Sequence, residues 1–162
     1  MDLSCIRHVT IDSEDVKNVV AAPNDGGRKL RTLFFEVNFV GFDASWKKNL
    51  RSLKLKNLRS LKLKGYAIVE LPSSIGEWKH LRYLDVSDTE LRALPESITK
   101  LYRLQTLRFL ECFLLKEFPR EKMKNLVSLK HIEFSYGWQM LSGLGRLTSL
   151  ERLPMFVVGI DR

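Results

Sequence analysis

Leucine or a close substitute recurs along the chain in the pattern L-x-x-L-x-L. The three cleanest copies begin at Leu58, Leu81 and Leu104, so that successive copies start 23 residues apart. The alternation of apolar and polar positions inside each copy is typical of a short strand with one buried face. A constant period of this length predicts a solenoid of stacked coils, in which each coil adds one strand to a parallel sheet.

Weaker copies extend the same pattern in both directions. They begin at Ile6, Leu30, Leu129 and Leu150, and the steps of 24, 28, 25 and 21 residues connect them to their neighbours. All of these steps fall within the roughly 20–29 residues of a leucine-rich repeat. The pattern predicts seven strands, near residues 6–11, 30–35, 58–63, 81–86, 104–109, 129–134 and 150–155.

Two further positions of each coil follow from the need to turn after the strand. With the first Leu of each copy as position one, position nine should bind backbone groups of the turn, and it holds Asn38, Thr89 and Cys112. Position eleven should return to the core, and the apolar residues there are Val16, Val40, Ile68, Leu91 and Leu114, whereas Gln139 breaks the pattern. The chain between strands carries Leu71-Pro72, Leu94-Pro95 and Phe118-Pro119. Proline has no N–H to donate, so these segments are expected outside the sheet.

The predicted fold class is an α/β solenoid. It is a curved leucine-rich-repeat array with about seven short parallel strands on the concave face and irregular, 3-10 or short helical returns on the convex face. We expect a single domain over residues 1–162, because 44% of the residues are hydrophobic and the repeats account for nearly the whole chain. No apolar run reaches the length of a signal peptide or a membrane span. Two cysteines and no N-x-S/T sequence favour a reducing, intracellular setting.

An octapeptide is repeated letter for letter, as residues 49–56 and 57–64. Position eleven counted from Leu58 is Ile68, whereas counted from Leu50 it is Ser60, so the second copy is predicted to carry the strand. Residues 47–64 are therefore interpreted as a basic insertion, with eight basic residues and no acidic one. Such a stripe could bind nucleic acid or an acidic membrane surface. We favour a solvated face instead, because aromatic residues that would stack on bases are missing from the stripe.

No constellation of residues predicts catalysis, so we expect that the protein is not an enzyme. Asp25-Gly26-Gly27-Arg28-Lys29 lacks the spacing of a phosphate-binding loop. His8, His80 and His131 have no partner at metal-ligand spacing, and neither a metal nor a cofactor is expected. Cys112 is interpreted as a turn residue rather than a redox centre, because a reactive thiol requires a basic and partly exposed setting.

The concave face is the best candidate for function. Alternation along the strands turns positions three, five and seven outward, which gives a mixed, charged and partly aromatic surface. Tyr83, Arg108 and Phe156 are of the types that dominate binding hot spots. The predicted protein-binding residues are Lys62, Lys64, Tyr83, Asp85, Ser87, Arg108, His131, Glu133, Arg152 and Phe156.

The segments between the strands resemble a particular family. "ELPSSIGEWKHLRYLDVSDTELRALPESITKLYRLQTL" (residues 70–107) is similar to the leucine-rich repeats of plant intracellular disease-resistance proteins that carry a central nucleotide-binding domain. "FPREKMKNLVSLKHIEF" (118–134) and "LGRLTSLERLPMFVVG" (144–159) resemble repeats of the coiled-coil subclass, and "CIRHVTI" (5–11) and "KLRTLFF" (29–35) resemble its entry into the array.

The resemblance implies recognition and autoinhibition in innate immunity. The array would pack on the nucleotide-binding domain of its parent receptor and sense a pathogen effector or a modified host protein, in the cytoplasm, with the nucleus as a second location. The chain contains no phosphate loop, so nucleotide switching is not assigned to it, and we expect it to be part of a longer receptor. The alternative function is an intracellular scaffold of the Ras-associated leucine-rich-repeat kind. Nucleic-acid binding through the basic stripe is disfavoured.

Overall fold

The computed structural model describes residues 7–12, 29–37, 47, 50–51, 55–135 and 147–151. Six strands form one sheet: β1 (His8–Asp12), β2 (Thr32–Glu36), β3 (Ser60–Lys64), β4 (Tyr83–Asp85), β5 (Thr106–Phe109) and β6 (His131–Phe134). All neighbours are parallel, and the strand order in the sheet is the order along the chain. Three 3-10 helices form the returns: η1 (Ser73–Glu77), η2 (Glu96–Lys100) and η3 (Arg120–Asn125). The predicted α/β solenoid is confirmed.

Equivalent repeat positions pair across every strand boundary. Position three joins His8, Thr32, Ser60, Tyr83, Thr106 and His131 in one row. Each strand begins at this position, two residues after the first Leu of its repeat, and β3 lies in the second copy of the octapeptide. The seventh expected strand extends beyond the described residues. At its start the N–H of Glu151 donates to the carbonyl of Lys130 over 3.0 Å. The same hydrogen bond joins the position-two residues of all preceding pairs of neighbouring coils in the described sheet.

The core is a set of apolar rows that run through the coils. Positions one, four and six point inward, so that Leu58, just before β3, and Leu61 and Leu63 within β3 have no exposed surface. Side chains of the returns close the other side, and Ile75 and Ile98 of the 3-10 helices are equally buried. Burial of each such side chain contributes about 1.5–3 kcal/mol. The rows are continuous through neighbouring coils, so each coil is stabilised by the coils on either side.

Proline precedes each 3-10 helix and fixes the entry of the chain. Pro72, Pro95 and Pro119 have φ values of −67°, −65° and −75° and stand at the N-caps of η1, η2 and η3. The helices pack closely: a Cβ at Gly76 of η1 would lie 2.6 Å from the carbonyl oxygen of Ser97 in η2. The proline positions that the sequence assigned to the convex side therefore begin short helices.

Position eight turns the chain out of the sheet with a positive φ. Gly65, Asp88 and Glu111 occupy it with φ values of 132°, 57° and 55°. The next residue, position nine, serves the turn as predicted: the Thr89 hydroxyl donates to the carbonyl of Val86 over 2.7 Å, and the Cys112 thiol donates to the same oxygen over 3.1 Å. The expected Asn38 lies outside the described residues.

The prediction that position eleven is buried is confirmed in two coils and wrong in a third. Ile68 and Leu91 are fully buried, but Leu114 is exposed and its neighbour Leu115 is buried instead. The fifth coil turns one residue later, since the N–H of Leu115 donates to Cys112, whereas that of Ile68 donates to Gly65. Its longer period of 25 residues accommodates the extra residue. Val16, Val40 and Gln139 lie outside the described residues.

Candidate functional site

A row of alternating charges crosses the concave face at position five. The strand pairing aligns Lys62, Asp85, Arg108 and Glu133 on β3 to β6. Lys62 Nζ lies 4.0 Å from Asp85 Oδ2, Arg108 Nη1 lies 3.2 Å from the same oxygen, and Arg108 Nε lies 2.6 Å from Glu133 Oε2. Opposite charges on facing positions of a sheet attract each other. We call these four residues the charge ladder.

Asp85 is the buried member of the charge ladder, with 1% of its surface exposed. Its Oδ1 accepts hydrogen bonds from the backbone N–H and the hydroxyl of Ser87, at 3.0 and 2.5 Å. Its Oδ2 accepts from the Tyr83 hydroxyl at 3.3 Å and from Arg108. A buried carboxylate is tolerated when its lone pairs are occupied in this way. Asp85 therefore organises the residues around it.

Arg108 joins three strands. Its Nη1 donates to the Tyr83 hydroxyl at 3.0 Å on β4, and its Nε donates to Glu133 on β6. The hydrogen bonds to Tyr83 and Glu133 and the negative charge of Asp85 raise the pKa of Arg108, against the opposing effect of burial. A planar guanidinium with several fixed donors suits such a junction better than an ammonium group would.

One aromatic and one serine side chain on the concave face also make such contacts, and neither is among the predicted protein-binding residues. Lys62 Nζ lies 5.2 Å from the centroid of the Phe34 ring on β2, a cation–π contact. The hydroxyl of Ser135 accepts from the N–H of Glu111 and donates to its carboxylate, both at 2.9 Å. Phe34 shares position five and Ser135 shares position seven with predicted residues, so the repeat numbering places both on the concave face.

The predicted site residues divide into three groups. Lys62, Lys64, Tyr83, Arg108, His131 and Glu133 lie on the concave face with part of their side chains exposed. Asp85 and Ser87 lie in the same rows but are buried, where they hold the strands rather than face solvent. Ser87 accepts the N–H of Leu110 on the next coil at 3.0 Å. Arg152 and Phe156 lie outside the described residues.

The basic insertion does not present a uniform cationic surface where the structure describes it. Lys47 pairs with Glu70, and burial lowers the pKa of its ammonium group. Lys62 belongs to the charge ladder, and Lys64 Nζ lies 3.9 Å from Asp88 Oδ2. Arg51, Lys56 and Arg59 are exposed. Carboxylates of other coils thus neutralise part of the stripe.

Cys112 has the surroundings of a structural thiol. It is 8% exposed, its Sγ lies 3.4 Å from the Thr89 hydroxyl, and burial raises the pKa of the thiol. No cluster of three or more His, Cys, Asp or Glu able to hold a metal occurs within the described ranges. Nor does any helix in that part of the chain have the length and apolar character needed to cross a membrane.

Comparison with known families decides the classification, because residues 6–161 match the family described as "Leucine-rich repeat region". The chain belongs to this leucine-rich-repeat family. Two proteins of Arabidopsis thaliana are similar to it. Disease resistance RPP13-like protein 2 is 38% identical over 80 residues, which are 49% of this chain and 9% of that protein. Disease resistance RPP13-like protein 3 is 48% identical over 65 residues, which are 36% of this chain and 8% of that protein.

By these matches the leucine-rich-repeat chain is similar to the repeat regions of plant disease-resistance proteins. It spans less than a tenth of the length of the two relatives. Solved structures agree on the fold. The leucine-rich-repeat domain of the type III effector XopL superimposes with a TM-score of 0.56 at 25% identity, covering 81% of this chain and 45% of that chain. A leucine-rich-repeat protein of Leptospira interrogans gives 0.53 at 21% identity, covering 90% and 42%. Fold and relatives together describe a leucine-rich-repeat scaffold.

Proposed function

We propose that this repeat region is the recognition module of a plant innate immune receptor. It senses a pathogen effector or a modified host protein and contributes to autoinhibition by packing on a nucleotide-binding domain. The observation that carries the proposal is the charge ladder on the concave face, which is held by its own hydrogen bonds and presents Lys62, Arg108 and Glu133 at its surface. The relatives of the chain, which are disease-resistance proteins, supply the context.

Preorganisation is the physical reason why such a face suits recognition. Arg108 is already held by Tyr83 and Glu133, so little side-chain entropy is lost when a partner binds. Arg and Tyr are also enriched among residues that dominate binding energy. The partner's contacts would fall on the partly exposed residues of the concave face, which are Lys62, Lys64, Tyr83, Arg108, His131 and Glu133. The predicted contacts Arg152 and Phe156 lie outside the described residues.

The proposal includes the organisation and the location of the protein. Residues 1–162 form a single leucine-rich-repeat domain, in which residues 47–64 are a duplicated basic insertion. The receptor acts in the cytoplasm, with the nucleus as a second location. Its partners are the nucleotide-binding domain of the parent receptor and an effector or host protein.

Binding to the nucleotide-binding domain of the parent receptor tests this function. The 162-residue chain is titrated with that domain, and with candidate effector or host proteins, by isothermal calorimetry. His131→Ala and Glu133→Gln remove concave-face groups and are expected to weaken one of these complexes at least about tenfold, as hot-spot substitutions do. Lys124→Ala, on the exposed side of η3, is the matched control and should leave affinity unchanged.

Two results would contradict the proposal. One is that the folded chain binds neither the nucleotide-binding domain nor any effector or host protein. The other is that Lys124→Ala weakens binding as much as the concave-face variants, which would place recognition elsewhere.

A further inference from the structure

Arginine occupies position two in four successive coils. Arg7, Arg31, Arg59 and Arg82 each stand immediately before a strand, so the row lies at the amino-terminal edge of the sheet. Backbone hydrogen bonds stack them directly: the N–H of Arg31 donates to the carbonyl of Arg7, and that of Arg59 to Arg31, over 2.9 and 2.8 Å. The row therefore places like charges on neighbouring strands, which are about 4.8 Å apart in a sheet.

An open cavity of about 420 Å³ lies along this row, and all of its lining residues are exposed. Its walls come from two repeat positions: Arg7, Arg31 and Arg59 from position two, and Lys29, Asn57 and His80 from the residue before position one. Four of these six residues are cationic, and none is acidic. The volume falls in the usual range of small-molecule sites, about 300–1,000 Å³.

The charges of the cavity are not neutralised by the protein where the structure describes it. Arg7, Lys29, Arg31 and Arg59 form no ion pair with any described carboxylate, whereas the cations at position five alternate with Asp85 and Glu133. Facing like charges are destabilising in a sheet. The three arginines of the row that line the cavity thus carry a local electrostatic cost, which a bound anion would offset.

His80 adds a hydrogen-bond donor to the cavity. Arg103, its counterpart one coil further, has Nη1 3.2 Å from His80 Nδ1. An arginine can only donate, so Nδ1 accepts and the ring proton resides on Nε2. Arg103, which lies outside the cavity lining, therefore holds the imidazole in the tautomer that donates from its other nitrogen.

We propose that this cavity binds a small, multiply phosphorylated anion. Guanidinium groups match phosphate oxygens with paired, charge-assisted hydrogen bonds, and three arginines of consecutive coils line this cavity. A single carboxylate could pair with one or two of these groups, whereas a chain of phosphates reaches the groups of several coils. Anion binding at this edge is separate from protein recognition on the concave face.

Calorimetric titration of the full chain with sodium tripolyphosphate tests the site, with orthophosphate as the smaller probe. We expect tripolyphosphate to bind more tightly than orthophosphate and to lose affinity when NaCl rises from about 50 to about 200 mM. Arg31→Gln and Arg59→Gln should each raise the dissociation constant about tenfold, because each removes a charge-assisted contact. Arg92→Gln, an exposed arginine outside the cavity, makes the same change in net charge and should have little effect.

Several outcomes would overturn the site. No binding of tripolyphosphate at the lower salt concentration would do so, as would equal affinity for orthophosphate. An equal loss of affinity in Arg92→Gln and Arg59→Gln would reduce the effect to net charge. A single-stranded oligonucleotide that binds more tightly than tripolyphosphate and is equally sensitive to all three substitutions would show an extended nucleic-acid surface instead. Circular dichroism of each variant establishes that the fold is retained.

Discussion

Arg108 and Asp85 form an ion pair between neighbouring strands, with Nη1 3.2 Å from Oδ2, although the carboxylate is almost completely buried. The pair also shares the Tyr83 hydroxyl, which donates to Asp85 and accepts from Arg108. Breaking a pair of this kind leaves a buried charge without its partner. The central part of the concave face therefore depends on Arg108 for stability as well as for binding.

Arg108→Gln should lower the free energy of unfolding by about 2–3 kcal/mol, because Asp85 loses a charged hydrogen-bond donor. Glu133→Gln is the matched control: it removes the other, more exposed partner of Arg108 and should cost less than about 1 kcal/mol. Urea unfolding followed by circular dichroism measures both. Equal losses in the two variants would contradict the central role of the buried pair.

Gly65→Ala should destabilise the fold by about 2–3 kcal/mol. Its φ of 132° is accessible to glycine, and an added Cβ would lie 2.3 Å from the carbonyl oxygen of Val37. Asp88→Gly changes the equivalent position of the next coil in the opposite sense and should alter stability by less than about 1 kcal/mol, since it relieves a left-handed aspartate and loses a weak ion pair. Thermal and urea unfolding provide the comparison, and a stable Gly65→Ala variant would contradict it.

Leu115→Ala should cost about 2–4 kcal/mol, whereas Leu114→Ala should cost less than about 1 kcal/mol. The two residues are neighbours of the same type, so the comparison isolates burial: Leu115 is 4% exposed and Leu114 is 40% exposed. Urea midpoints of the two variants measure the difference. The reverse order would show that the fifth coil keeps the position-eleven register of the others.

Stability should depend on pH through Cys112. Burial raises the pKa of this thiol in the folded state, while in the unfolded chain it ionises near pH 8.5. The unfolded state therefore loses a proton first, and the contribution of Cys112 is fully present below about pH 8.5 and declines as pH rises toward the folded pKa. The limiting slope is about 1.4 kcal/mol per pH unit.

Comparison with Cys112→Ser isolates this effect, because both proteins retain Cys5. Urea unfolding between about pH 7.5 and about pH 9.5 should show a steeper loss for the wild type. Native Cys112 should also react with iodoacetamide much more slowly than Cys112 in the urea-unfolded chain, as followed by peptide mapping. Parallel pH profiles of the two proteins, or rapid native alkylation, would refute a buried, protonated thiol.

The amino-acid sequence determined the solenoid, because its evidence is periodic. Leu58, Leu81 and Leu104 recur at one interval, and each must be buried against its neighbours, so stacking of coils follows from the spacing. The same numbering identified Thr89 and Cys112 as turn residues. It also placed β3 in the second octapeptide, because position eleven counted from Leu58 is the apolar Ile68.

The tertiary structure decided what depends on contacts between coils. Asp85 and Lys62 occupy the same repeat position and appear equivalent in the sequence, yet the first is buried and the second exposed, because Arg108 and Ser87 enclose only the carboxylate. Leu115 is buried in place of the expected Leu114, because the turn of the fifth coil closes one residue later. Lys29, Asn57 and His80 of adjacent coils lie beside the row of arginines, and together with three of these arginines they line the open cavity. Periodicity fixes which residues share a row, whereas burial and pairing depend on the side chains that neighbouring coils bring together.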